Sequence, residues 1–267
     1  MEKIKFGCHN FLNSKPILSP LLENNTSDLE IVQESPADLA LLLRRAKLDL
    51  SFVPSIEYAK NSAYLLVNNI SISSLGTVDT VLLISKTKME DIKTVATDNR
   101  SLSSITLLKI LFKEKYNRLP FFQQTEPDYE KMLSSNDAAM IIGDNTFLLK
   151  KTEKTTYDLS QEWFQLTGKP FVHAVLCVRK DVQLDQNIIN TILKARDEGL
   201  ASIDRISTDE ARRLGITKEK CADYLKNKIR YTLGQKEQEG LKEFFSLANK
   251  HGFIKSKPEL NFFDESR

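Results

Sequence analysis

Short apolar runs that give way to a proline, a hydroxyl or amide group and then a helical stripe recur early in this sequence, and that recurrence constrains the fold most. Ile4 to Cys8 leads into Asn10-Phe11-Leu12-Asn13-Ser14-Lys15-Pro16. Leu29 to Gln33 leads into Ser35-Pro36-Ala37-Asp38, where Ser35 suits a helix N-cap, Pro36 the first helical position and Asp38 the positive helix end. Leu48 to Val53 leads into Pro54-Ser55 and the helical segment Ile56 to Lys60. Leu39, Leu42, Leu43 and Ala46 keep helical spacing, so that helix turns one face onto a sheet. Units of this kind build an α/β fold, and its strand ends gather polar groups beside helix N-termini, whose free N–H groups favour anions. Asn10 to Pro16 is such a polar cup.

The pattern restarts at Thr94, with a strand to Thr97, a polar loop from Asp98 to Ser104 and a helix whose apolar stripe is Leu107, Leu108, Leu111 and Phe112. A second lobe with its own strand and helix units follows from that restart. Leu65 to Ser73 and Val78 to Ser85 read as neighbouring strands about a turn at Ser74 to Thr77, Tyr157 to Pro170 as a polar connection, and Phe171 to Val178 as a strand. Everything after Asp181 reads as helix, the last one stopped by Gly252. The expected division is residues 1–88 plus 178–267 for lobe 1 and 89–177 for lobe 2, with a ligand held between lobes able to close on it. At 267 residues either lobe can bury a core.

Charge excludes some functions. Lys+Arg number 38 against Asp+Glu 36, interspersed and without basic clusters, so nucleic acid is not an expected partner. The first residues carry no long apolar h-region and no run approaches a membrane span, so the expected location is the cytoplasm, with no membrane partner. Cys8, Cys177 and Cys221 lack paired spacing, which argues against disulfides and zinc.

His9, His173 and His251 are the histidines, and none sits in a GxSxG, HExxH or HxxxH context, so neither a serine triad nor a metal pair is indicated. His9 adjoins the polar cup, His173 lies within an apolar strand and His251 ends a helix. No phosphate-cradling glycine loop occurs, and no cofactor is expected. What recurs is neutral hydrogen-bonding groups at strand ends: Asn13, Ser14, Ser55, Ser73, Ser74, Thr77, Thr80, Ser101, Ser103, Ser104 and Gly143-Asp144-Asn145. Each fits a cap or turn taken singly. Together they suit a pocket for a small carboxylate held by neutral donors.

Several stretches go further. Asn10 to Pro16, Asp49 to Tyr58, Ile72 to Val81, Ile141 to Asp144, and Tyr157 through Glu162-Trp163 to Thr167-Gly168-Lys169-Pro170-Phe171-Val172 resemble the chorismate dehydratases of the futalosine route to menaquinone, the MqnA family. The resemblance implies a two-lobed fold like the type II periplasmic binding proteins, with chorismate in the cleft, a helical C-terminal tail, and loss of water to give 3-[(1-carboxyvinyl)oxy]benzoate. It also implies that Asn13 is the key polar contact and that Thr80, standing where the family pattern has serine, keeps a catalytic hydroxyl. Ser14, Ser55, Ser73, Ser74, Ser103, Ser104, Gly143, Asp144, Asn145 and His173 are the expected substrate-binding residues. Leu102 replaces the family's arginine in Ser-Arg-Thr-Ser, with Arg100 nearby, and His173 and Leu176 stand where aromatic residues are common. The alternatives are a non-catalytic cytoplasmic binding protein or sensor for an aromatic carboxylate, and the sister enzyme that makes 1,4-dihydroxy-6-naphthoate.

Overall fold

A computed structural model describes residues 3–24, 26–149 and 154–264. Strand β1 (Ile4–Gly7) passes through a 3-10 turn, Leu12–Ser14, into α1 (Lys15–Glu23). There follow β2 (Leu29–Val32), α2 (Pro36–Arg44), β3 (Leu50–Pro54), α3 (Ser55–Lys60) and β4 (Tyr64–Ser74). The cap expected at Ser35 forms: its Oγ accepts from the Asp38 N–H at 3.2 Å, an arrangement worth about 1 kcal/mol.

The second run is β5 (Val81–Ser85), β6 (Thr94–Asp98), α4 (Ser103–Tyr116), β7 (Phe121–Thr125), α5 (Tyr129–Ser135) and β8 (Ala138–Ile142). After a 3-10 turn at Gly143–Leu148 come β9 (Thr155–Asp158), α6 (Leu159–Thr167) and β10 (Phe171–Arg179). The tail is α7 (Gln186–Ala201), α8 (Ile203–Leu214), α9 (Lys218–Asp223) with a π turn at Tyr224–Lys228, and α10 (Gln235–Lys250).

Two five-stranded mixed sheets result, ordered β2-β1-β3-β10-β4 and β7-β6-β8-β5-β9. In each, parallel strand and helix units are joined by an antiparallel strand from the crossing segment: β10 runs against β3 and β4, and β5 against β8 and β9. The strands therefore change sheets earlier than the sequence suggests. Val81–Ser85 belongs to the second sheet and Phe171–Arg179 to the first, so the crossings fall before β5 and before β10 and not near 88 and 178. Hydrophobicity marks both runs as buried strands but carries no information on which sheet receives them. Backbone geometry does: Gly76 (φ 80°) and Asp79 (φ 66°) sharply redirect the chain after β4, and Gly168 (φ 68°) does so after α6.

Tyr157 to Pro170, expected as a polar connection, instead forms the end of β9 and the amphipathic α6. Asp158 caps that helix by accepting from the Ser160 and Gln161 N–H groups, and Gly168 closes it in the left-handed conformation. Its Trp163 is fully buried, donates its indole N–H to the Pro170 carbonyl at 3.1 Å, and meets Phe171 and Phe244 edge-on. The tail thereby packs on the first sheet. It also covers that sheet's open edge, where Ser73 pairs with Arg230 and Leu66 with Phe262, removing a strand edge free to template pairing.

Candidate active site

The ends of β1, β3, β6 and β8 face one another across a cavity. His9, Phe11 and Asn13 form one wall, Pro54, Ile72 and His173 the floor of the first lobe, Thr80 and Val81 the crossing, and Arg100 to Ser104 with Gly143 the second lobe.

The cup after β1 is shaped by Ser14. Its hydroxyl donates to the carbonyls of Phe11, at 2.8 Å, and His9, closing the turn so that Asn13 and His9 stay on the cavity side. Asn13 Oδ1 and His9 Nδ1 are buried and have no hydrogen-bond partner. Polar atoms left in that state cost about 1 to 3 kcal/mol apiece, which a bound polar ligand would recover. Burial pushes the imidazoles of His9 and His173 down to about 4, so both are neutral at pH 7. His173 Nε2 lies 2.9 Å from Ser74 Oγ and 3.5 Å from Ser160 Oγ.

From the other lobe, Arg100 brings a positive charge. Its guanidinium is held in a fork on Asp98, at 2.9 and 2.6 Å, which raises its already high pKa, and it stacks over the Phe11 ring at 5.6 Å. The N-terminus of α4 opens beside it at Ser103, a local positive end that suits a carboxylate. Leu102, where the family pattern has arginine, also lines the cavity, two positions after Arg100.

Of the residues expected at the site, Asn13, Thr80, Ser103, Ser104, Gly143 and His173 line the cavity. The others are engaged elsewhere. Ser55 Oγ sits 3.2 Å from Ser103 Oγ, joining α3 to α4 across the cleft. Ser73 donates to the Arg230 carbonyl at 3.4 Å, and Ser74 donates to Ser160 at 3.1 Å behind His173. Asp144 is not a free acceptor: Oδ1 receives the Leu12 N–H at 2.9 Å and Oδ2 pairs with Arg213 at 2.8 Å. Asn145 is half-buried in the turn behind Gly143 and outside the lining. These groups are scaffolding around the cavity because strand ends and helix starts must satisfy their own backbone before they can serve a ligand. Sequence reasoning passed over Phe11 and Ser160, which carry no signal beyond an apolar and a capping residue.

Residues 4–250 match the family model described as menaquinone biosynthesis. A curated chorismate dehydratase from Thermus thermophilus is 33% identical over 232 residues, spanning 80% of this chain and 84% of that protein. Among solved structures, a protein from Archaeoglobus fulgidus superimposes with a TM-score of 0.74 at 16% identity, covering 94% of this chain and 98% of that one. The periplasmic aliphatic sulphonate binding protein of Escherichia coli gives a TM-score of 0.63 at 14% identity, with 99% and 92% covered. Both likenesses establish a two-lobed fold of the periplasmic-binding-protein kind. With the family model spanning nearly the whole sequence and a curated relative matching most of it, the chain belongs to the menaquinone-biosynthesis family.

Proposed function

We propose that this protein is a chorismate dehydratase, a carbon–oxygen hydro-lyase that converts chorismate to 3-[(1-carboxyvinyl)oxy]benzoate and water in the futalosine route to menaquinone. The observation that carries the reading is the match to the Thermus thermophilus enzyme across both lobes, 80% of this chain. The cavity supports it chemically.

Chorismate brings two carboxylates and a ring hydroxyl. Arg100 and the N-terminus of α4 are the cationic end for one carboxylate, while Asn13, Thr80 and Ser104 offer neutral groups to the hydroxyl and ether. In the reaction the C–H bond beside the ether oxygen and the neighbouring C–OH bond break, a ring double bond forms, and the proton leaves with the hydroxide as water. Aromatisation supplies much of the driving force.

Among the described residues no strong base lines the cavity. The imidazoles of His9 and His173, pushed down to about 4, are weak bases, and Asp98 is committed to Arg100. The substrate's enolpyruvyl carboxylate then takes the proton, and the protein orients it and steadies the departing hydroxyl, with Asn13 as the principal contact. The reading needs no cofactor, and a biosynthetic step of this kind belongs in the cytoplasm; among the described residues no helix is long and apolar enough to cross a membrane.

The test is steady-state conversion of chorismate followed by ultraviolet absorbance. The wild-type protein should turn over, and Asn13→Ala should retain its fold while losing about a hundredfold or more in kcat/KM, the scale of one lost transition-state hydrogen bond. Full activity in Asn13→Ala would remove it from the site.

A further inference from the structure

Tyr224 opens the π turn at Tyr224–Lys228, a wider turn than an α-helix makes and one that recurs where a side chain must be re-aimed. Its ring is buried and meets Phe147 of the second lobe edge-on, with centroids 5.3 Å apart. Its hydroxyl oxygen lies 2.9 Å from Thr80 Oγ1. Burial pushes the phenol's pKa up, and the Thr80 hydroxyl partly offsets that push. Tyr224 does not line the cavity, whereas Thr80 and Asn13 both do. The phenol oxygen therefore stands behind a hydroxyl expected to touch substrate.

A phenol donates one hydrogen and accepts through its lone pairs. The phenol and the Thr80 hydroxyl therefore share one hydrogen bond, and whichever of them donates, the phenol restricts where Thr80 Oγ1 can turn. Asn13 Oδ1, on the same cavity lining as Thr80, has no protein partner.

We propose that Tyr224 is a positioning residue for the dehydration: its hydroxyl fixes the Thr80 hydroxyl in one orientation toward substrate. The proposal rests on the dehydratase reading, and wild-type turnover of chorismate tests that reading first and separately. Given turnover, Tyr224→Phe keeps the packing and removes one oxygen. It should lower kcat about tenfold or more while KM moves less than about threefold, since the Thr80 hydroxyl can still meet substrate but no longer holds one orientation. Tyr231→Phe is the control, a buried phenol whose oxygen has no partner, and it should keep the wild-type kcat.

Thr80→Val cuts the same hydrogen bond from its other end, so the double variant Tyr224→Phe with Thr80→Val should be no slower than the slower single variant. Wild-type kcat in Tyr224→Phe, an equal loss in Tyr231→Phe, or additive losses in the double variant would each overturn the proposal. If Tyr224→Phe does not fold, Thr80→Val decides: kcat should fall, and Thr80→Ser, which restores the hydroxyl, should recover it. Unchanged kcat in Thr80→Val overturns the proposal.

Discussion

His9 shows how the cup is tuned at the level of one residue. The ring is 4% exposed, stands against Phe11 with centroids 5.2 Å apart, and burial holds its pKa at about 4. In the unfolded chain the same imidazole protonates near 6.5, so between pH 6.5 and 4 the unfolded state binds more protons and stability rises with pH. The contribution is complete above 6.5 and is lost as pH falls toward 4, by about 3 kcal/mol for this group. His173 shifts in the same direction with a more open ring. Urea unfolding at pH 7 and pH 4.5 should show the loss, and His9→Gln should recover about 2 to 3 kcal/mol of that difference. An identical pH difference in His9→Gln would show that the imidazole is solvated in the folded state. At this scale the sequence was partly legible. Asn13 stood out only by its place in the family's motif, whereas Ser14, Ser55 and Ser73 were indistinguishable from ligands because scaffold and site hydroxyls obey the same backbone demand.

At the level of elements, helix starts were read well and strand destinations were not. Ser35-Pro36 encodes its cap locally, but nothing local says that Val81–Ser85 joins a different sheet from Tyr64–Ser74, which is decided by pairing with β8 and β9. The same holds for helix crossings. Gly199 of α7 lies against α1 so closely that a Cβ there would stand 1.7 Å from the Pro16 carbonyl oxygen, and the obstacle is backbone. Gly199→Ala gains helix propensity of about 1 kcal/mol yet must push α7 off the cup it supports. We expect a net destabilisation of about 1 to 3 kcal/mol, read as a lower urea midpoint with unchanged m-value. A stabilised variant would show that α7 slides freely on α1.

Over the whole molecule, the lobes are fastened on both sides of the cavity. Asp144 of the second lobe holds the Leu12 N–H of the cup and Arg213 of α8, and Glu114 of α4 pairs with Lys250 and His251 at the end of α10. The cup carrying Asn13 is thus tied to its opposing lobe, and closure and site assembly become one event. Asp144→Ala should leave each lobe folded, raise KM about tenfold or more with a smaller change in kcat, and enlarge the ligand-free radius of gyration by X-ray scattering. An unchanged KM and radius would show that the clasp does not set closure. The two-lobed plan was legible from the restart at Thr94, but the clasp was not, because its partners are separated by 132 and 69 residues.

The central claim, that this cleft dehydrates chorismate, is tested most directly by mass analysis of chorismate after incubation with excess purified protein. The expected product has lost one water and kept its enolpyruvyl group. Chorismate bound saturably and recovered unchanged would contradict it and leave a binding protein in place of an enzyme.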